Sequence, residues 1–278
     1  MGAAPVCTLQ SALAAARARV DAVDARVLLC EVLNRDAAFL IAHGDGALTA
    51  EQALTYQAWV ARRANGEPVA YITGRREFYG RLFRITPDVL IPRPETELLI
   101  DVALQVLRGR TIPRVLDLGT GSGCIALTLA AECAGAHVTG VDAWQAALDV
   151  ARENARALDM EHVVWCKSDW FDALGTERYD LVVSNPPYIA AGDEHLEQGD
   201  LRYEPGLALT PGGDGLGAIR RIVRDSVHHL VPGGWLWFEH GHDQGAASRA
   251  LLDEFGYSDI ATHRDLASIE RVTGGKRG

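Results

Sequence analysis

Through the first quarter of the chain, apolar residues recur at helical spacing and strand formers are scarce. The segments "LQSALAAARARV", "VDARVLLCEVLN", "RDAAFLIAHG" and "TAEQALTYQAWVARRANG" each put Ala, Leu or Val three and four positions apart. Thr49 precedes the last of these as an N-cap, and Gln52 stands three residues on, the spacing of a capping box. Short helices joined by short loops must share one apolar centre, so residues 1–67 are expected to form a small helical bundle.

The pattern changes at Pro68. Residues 68–92 alternate β-branched and aromatic with polar positions, and Gly74 and Gly80 punctuate them, which predicts a β-hairpin or paired extended segments linking two domains. "ETELLIDVALQVLRG" returns to the helical period. From Pro113 strand and helix alternate: "RVLDLG" before a helix from about Cys124, "HVTGVDA" before "WQAALDVARENARAL", and "VVWCKSD" before "WFDAL". "YDLVVSNPP" runs into a long irregular stretch and the helix "AIRRIVRDSVHHL". "GGWLWFEHG" precedes "DQGAASRALLDEFG". Val-rich strands in βαβα order predict a parallel sheet covered on both faces over residues 93–278. The last two strand segments, "SDIATHRDL" and "ERVTGG", have no helix between them, so an antiparallel edge hairpin is expected to close the sheet.

Composition keeps this picture and narrows the partners. The 278 residues are 48% hydrophobic and 23% charged, in the globular range, and allow one large domain or two ordinary ones. A net charge of -10 argues against an obligate nucleic-acid binder, which carries a basic footprint. The five cysteines are odd in number and form no CxxC pair, which predicts reduced thiols in a cytoplasmic protein and no zinc site. No apolar run approaches the length of a membrane span, and the N-terminus lacks the pattern of a signal peptide.

Two motifs carry chemistry. In "VLDLGTGSGCIAL", Gly119, Gly121 and Gly123 stand where a strand turns into a helix, a place where glycine permits a tight turn and a close backbone approach to a ligand. Asp142 closes the next strand about twenty residues on, where a carboxylate can accept from ribose hydroxyls. The dinucleotide fingerprint wants Gly or Ala three residues after its second glycine, and here that residue is Cys124. Asp169 and Trp170 follow the third strand. A carboxylate there can accept from an adenine amino group, and an indole supplies a flat apolar wall.

The second motif ends a strand in Asn185-Pro186-Pro187-Tyr188. Prolines cannot extend a sheet ladder, and they stiffen the chain where they sit. The side-chain oxygen of Asn185 and the carbonyl of Pro186 are two acceptors on one rigid frame, and Tyr188 can stack on a planar group. That constellation suits a flat nitrogen whose lone pair must be turned out of its π-system before it can attack. The requirement is positioning and preorganised electrostatics, with no strong base. The motif by itself admits an adenine amine or a glutamine amide.

The pattern Asp117-x-Gly-x-Gly-x-Gly resembles the first motif of Rossmann-like S-adenosylmethionine-dependent methyltransferases, and "NPPY" resembles the signature of those acting on planar nitrogens. More widely, "FYGRLFRITPDVLIPRPETELLI", "NPPYI…DEHLEQGDLRYEPGLAL" and the ending "ERVTGG" resemble the peptide chain release factor N5-glutamine methyltransferase family, from about Pro68 to the C-terminus. The resemblance implies a mostly parallel seven-stranded methyltransferase domain and an N-terminal bundle for substrate recognition. It implies methylation of the glutamine amide in the Gly-Gly-Gln motif of class-1 release factors, with S-adenosyl-L-methionine consumed and S-adenosyl-L-homocysteine released. Carried over residue by residue, it puts the cofactor on Gly119, Thr120, Gly121, Ser122, Gly123, Asp142, Asp169, Trp170 and Asn185. The substrate falls on Asn185, Pro186, Pro187 and Tyr188, with Asn185 and Pro186 catalytic. Arg93, Pro94 and Glu95 would shape the approach to the site, and Trp144, two residues past Asp142, could wall the ribose or lie on the surface. A monomer with no direct nucleic-acid or membrane partner is expected. The alternatives are glutamine methylation on a ribosomal protein and N6-adenine methylation of nucleic acid.

Other features invite less. His240, Gly241 and His242 beside Asp243 hint at a metal, but no further ligand cluster is evident. His228 and His229 sit on a helix, and the arginines near residues 62–76 read as a solvated face, with contact to an acidic partner surface as the alternative.

Overall fold

The structure, a computed structural model, describes residues 7–278. The first six residues, on which the expectation of no signal peptide partly rests, lie outside them. The chain divides into two compact units, Met1–Gly74 and Arg75–Gly278.

The first unit is helical: Leu9–Arg17, Ala22–Leu33, Ala37–Ala42, Ala50–Ala64 and Val69–Thr73. Its centre gathers Leu9, Ala25, Leu28, Leu29, Tyr56, Val60 and Ile72. The capping box at Thr49 forms reciprocally: the Gln52 amide N–H donates to Thr49 Oγ1 at 3.1 Å, and the Thr49 N–H donates to Gln52 Oε1 at 3.0 Å. Residues 69–73, expected to be extended, are instead a short helix. Pro68 fits a helix start because its missing N–H is not needed there, and one helical turn buries Ile72 in the bundle centre.

The second unit holds nine strands in two sheets. Strands β1 (Arg75–Phe78) and β2 (Arg81–Arg84) make an antiparallel hairpin. The large sheet contains β3 (Arg114–Leu118), β4 (His137–Asp142), β5 (Val164–Lys167), β6 (Tyr179–Ser184), β7 (Leu230–Glu239), β8 (Tyr257–Arg264) and β9 (Glu270–Arg277). Its spatial order is β5-β4-β3-β6-β7-β9-β8, parallel except where the β8–β9 hairpin slots β9 against β7. Leu116, Leu118, Val182, Leu236 and Phe238 are fully buried in its core, as a sheet covered by helices requires.

The expected helix at "WFDAL" is absent, and turns fill the connection from β5 to β6. Trp170 at φ +52° and Gly175 at φ +58° both hold left-handed backbone that a helix cannot use.

One consequence of the strand order positions the chemistry. Leu118 of β3 lies opposite Ser184 of β6, and Ser184 lies opposite Phe238 of β7. The loops that follow these three strands therefore leave the same edge of the sheet side by side. Strand order reverses around β3, and such a reversal leaves a crevice outside the carboxyl ends of the strands.

Candidate functional site

A cavity of about 700 Å³ opens at this edge, within the range that takes a small organic ligand. Gly119, Thr120, Gly121, Ser122, Asp142, Trp144, Ser168, Asp169, Trp170, Asn185 and Pro187 line it together with residues of two segments, 87–92 and 205–210, the second built around the short helix Gly206–Leu209. Sequence-predicted residues from four separate strand ends thus meet in one crevice. Gly123, Pro186 and Tyr188 are not among the lining residues, although Pro186 and Tyr188 flank Pro187.

The glycines of the first motif have different reasons to be there. Gly119, Gly121 and Gly123 all hold positive φ, at +71°, +53° and +80°. A Cβ on Gly121 would meet nothing within 4 Å, so that position leaves its backbone open to a ligand. At Gly123 a Cβ would stand 2.9 Å from the Trp165 ring and 3.1 Å from Ala151, so there glycine serves packing between helix and strand. The loop is tied down from below. Asp117, fully buried, accepts from Thr120 Oγ1 at 2.6 Å and from the Ala126 N–H at 3.2 Å. Burial pushes the Asp117 carboxyl up to about 7. Asn154 donates to the Ser122 carbonyl at 2.8 Å and to the Arg84 carbonyl at 3.0 Å, joining the loop to the end of β2.

Asp142 accepts the Gly121 N–H at 2.9 Å on one oxygen and the Trp144 N–H at 2.9 Å on the other. Each carboxylate oxygen keeps a second lone pair for a hydroxyl donor. Burial raises this carboxyl, and the backbone N–H bonds pull it back. Trp170 stands over the loop, with its ring 3.7 Å from where a Cβ on Gly119 would lie. Asp169 is exposed, and its Oδ2 accepts from Arg221 at 2.7 Å. Trp144 is mostly exposed at the cavity mouth.

Around Asn185 the structure reveals partners that sequence reading did not single out. Asn185 Nδ2 donates to Thr96 Oγ1 at 3.1 Å, Thr96 Oγ1 donates to Glu239 Oε2 at 2.6 Å, and the Tyr188 hydroxyl donates to Glu239 Oε1 at 3.0 Å. The adjacent Glu239 charge and burial both raise the Tyr188 phenol, which keeps it a donor. The Tyr188 carbonyl accepts from Gln244 Nε2 at 2.9 Å. Gly215, in "TPGGDGLG", sits at φ +80°, where a Cβ would stand 2.4 Å from that same carbonyl. The glycines of this loop were visible in the sequence, but the reason for Gly215 is a contact with Tyr188, whereas a Cβ on Gly212 or Gly213 would meet nothing within 4 Å.

The two segments that wall the cavity meet through a buried acid. Glu204 accepts the Ile91 N–H at 3.0 Å and pairs with Arg93. Burial raises this carboxyl, and the Arg93 charge opposes the rise. Arg93 thereby joins the "IPRPETE" and "RYEP" segments, while Thr96 of the first reaches Asn185.

No group of histidine, cysteine or acidic residues among the described residues could hold a metal ion. His240 is buried, with Nε2 2.7 Å from Thr273 Oγ1 and Nδ1 2.8 Å from the Gly241 carbonyl. All five cysteines are free thiols. No helix among the described residues is long and apolar enough to cross a membrane.

Comparison with known proteins agrees with this geometry. The family described as the PrmC N-terminal domain matches residues 8–74, and the methyltransferase small domain matches residues 95–204. The chain is 52% identical to the release factor glutamine methyltransferase of Burkholderia pseudomallei, over 92% of each chain. It is 51% identical to that of Bordetella pertussis, over 91% of this chain and 94% of the relative. Among solved structures, a methyltransferase from Pyrococcus furiosus superposes with TM-score 0.53 at 16% identity, covering 78% of this chain and 97% of that one. The Thermus thermophilus 16S rRNA N2 G1207 methyltransferase, solved with AdoMet and guanosine, gives TM-score 0.54 at 22% identity over 73% of this chain and 50% of its own. At these identities the structural likeness establishes the shared fold.

Proposed function

The chain belongs to the release factor glutamine methyltransferase family, and from that premise we infer that it methylates the side-chain amide nitrogen of the glutamine in the Gly-Gly-Gln motif of class-1 release factors. The observation that carries the reading is one crevice lined by both the glycine loop and Asn185-x-Pro187, placed there by the pairing of β3 with β6. The methyl donor is S-adenosyl-L-methionine. Gly119 through Gly123, Asp142, Asp169 and Trp170 are the residues that would hold it, with Asn185 at the reacting end. Gly121 lets the backbone come close, Asp142 takes the ribose hydroxyls, and Trp170 supplies an apolar wall.

When bound, the donor supplies a methyl group on a positively charged sulfur. The remainder of the work falls to this chain's own residues. Asn185 Oδ1 and the Pro186 carbonyl accept the two N–H bonds of the substrate amide, which turns its lone pair toward the methyl and stabilises the positive charge that grows on nitrogen. Pro187 keeps both acceptors fixed, so the alignment costs no reorganisation as the reaction proceeds. The half-buried Tyr188 ring backs the amide plane. The proton is lost from nitrogen to water after its charge has developed, so no strong base is needed.

The helical unit, which the short helix Val69–Thr73 carries on to Gly74, reads as the substrate-recognition domain, the rest of the expected 68–92 segment as the linker, and residues 93–278 as the methyltransferase domain. A monomeric cytoplasmic enzyme that meets protein, with no direct nucleic-acid contact, suits the acidic charge. The test is methyl-labelled cofactor offered separately with release factor, ribosomes and duplex DNA. Label in the release factor is expected, and label confined to DNA or to ribosomal protein would overturn the assignment.

A further inference from the structure

Glu239 is a carboxylate with only 1% of its surface exposed, and hydroxyl groups bind both its oxygens. A buried carboxylate is costly unless something requires it. Its place in the fold suggests the requirement. Ser184 and Phe238 are paired across β6 and β7, so Asn185, the first residue past β6, and Glu239, the last residue of β7, lie next to each other at the sheet's edge. Thr96, 2% exposed, bridges them from the turn Pro94–Thr96.

We propose that Thr96 and Glu239 are positioning residues that lock the side-chain amide of Asn185 in the one orientation the reaction can use. The inference rests on the reading of Asn185 as the acceptor for the substrate amide.

The two ends of an asparagine amide are nearly identical in shape but opposite in hydrogen-bonding sense. Turned the wrong way, Asn185 would point N–H at the N–H of its substrate. The neighbouring network decides between the two. Burial raises the Glu239 carboxyl, and the bonds from Thr96 and Tyr188 and the Arg271 charge oppose that rise. As a carboxylate it only accepts, so the single hydroxyl proton of Thr96 goes to Glu239 at 2.6 Å. Thr96 Oγ1 then has only lone pairs left for Asn185, and only the Nδ2 end can meet them, at 3.1 Å. Asn185 Oδ1 is left at the other end of the amide, on a residue that lines the cavity. Tyr188 donates to the second oxygen of Glu239, so the substrate motif is attached to the same carboxylate at two points. The hydroxyl of Thr96 transmits the direction of the bond, and its methyl group fills space.

Three variants separate this role from packing. Thr96→Val keeps the shape and removes the hydroxyl, Thr96→Ser keeps the hydroxyl, and Glu239→Gln supplies an amide that can donate toward Thr96 and so reverse the chain. Thr96→Val and Glu239→Gln are each expected to lower kcat on release factor about 100-fold, the scale of a misaligned reacting group. The Kd for cofactor should stay within about threefold, and Thr96→Ser should recover most of kcat. If Thr96→Val does not fold, Glu239→Gln carries the test. Near-parental kcat in the folded variants, equal damage from Ser and Val, or a loss carried by cofactor affinity would each overturn the role. Solvent exchange of the Asn185 side-chain NH2, followed by nuclear magnetic resonance in the free enzyme, needs no substrate. It should be slow in the parent and at least tenfold faster in Thr96→Val, and equal rates would overturn the proposal. A parent enzyme that leaves release factor unlabelled would instead remove the functional reading, while the exchange measurement still decides the orientation.

Discussion

Gly215→Ala is the most informative single change, because its effect can be worked out from one distance. The added Cβ would stand 2.4 Å from the Tyr188 carbonyl oxygen, where real contacts begin at about 3.0 Å. Either the Gly215 loop or the Tyr188 backbone must give by at least about 0.6 Å. Tyr188 is not free to absorb this, since Gln244 holds its carbonyl and the Ala191 N–H is bonded to Gly213 at 2.9 Å. The strain therefore reaches the Asn185–Tyr188 frame, and a displacement on the order of 1 Å at reacting groups costs about 100-fold in rate. Gly212→Ala is the matched control. Its φ of +79° nearly equals the +80° of Gly215, but its Cβ would meet nothing within 4 Å. Both variants carry the left-handed penalty of about 1–2 kcal/mol, which lowers Tm by roughly 2–8 °C for a domain of this size. Only Gly215→Ala should also lose kcat, read as methyl transfer to release factor at saturating cofactor, while its cofactor affinity holds. Equal kcat in the two variants would refute the argument that Gly215 exists to accommodate Tyr188.

Three further outcomes are expected. Asn185→Ala should reduce kcat by about 10²–10³, the scale for removal of one preorganised electrostatic partner, while cofactor titration shows at most a modest loss of affinity. Burial holds the Asp117 pKa at about 7 in the folded state, above its unfolded value of about 3.8. The folded protein thus keeps an extra proton between those values, and stability falls as pH rises through that window, by up to about 4 kcal/mol. Asp117→Asn should flatten this slope in denaturant titrations of cofactor-free enzyme between pH 4 and 7, and an unchanged slope would place its source elsewhere. Arg93→Ala leaves the buried Glu204 carboxylate without its cation and should destabilise the second unit by about 3 kcal/mol, whereas Arg93→Ala combined with Glu204→Gln should recover most of that loss. A double variant as unstable as the single would show that Arg93 acts through packing.

The central strands β3, β6 and β7 were legible along the chain because each carries an apolar run, and burial on both faces demands that pattern. The glycine loop and the diproline frame were legible for a related reason. Unusual backbone needs unusual residues, and Gly119, Gly121 and Pro187 announce themselves locally. The short helix at residues 69–73 was not legible, because burial of Ile72 in the bundle decided it against alternating, strand-like local chemistry. The turn at Trp170 was hidden likewise, since local pattern favours a helix there and the position opposite Gly119 does not.

The sequence by itself pointed to methyl transfer through the resemblance of its glycine loop and its Asn185-Pro186-Pro187-Tyr188 motif to a known family, while that motif alone left an adenine amine and a glutamine amide both open. Only the tertiary structure decided how that chemistry is aimed. Thr96, Glu239 and Gly215 look ordinary where they stand in the chain, being a residue in a turn, a strand end and a loop glycine. Their contacts arise because β6 pairs with β7 and places Asn185 beside Glu239, while Thr96, at the end of the turn Pro94–Thr96, hydrogen-bonds to both. A hydrogen bond depends on direction across a few ångströms of space, and separations of 89 and 143 residues along the chain carry no local trace of it.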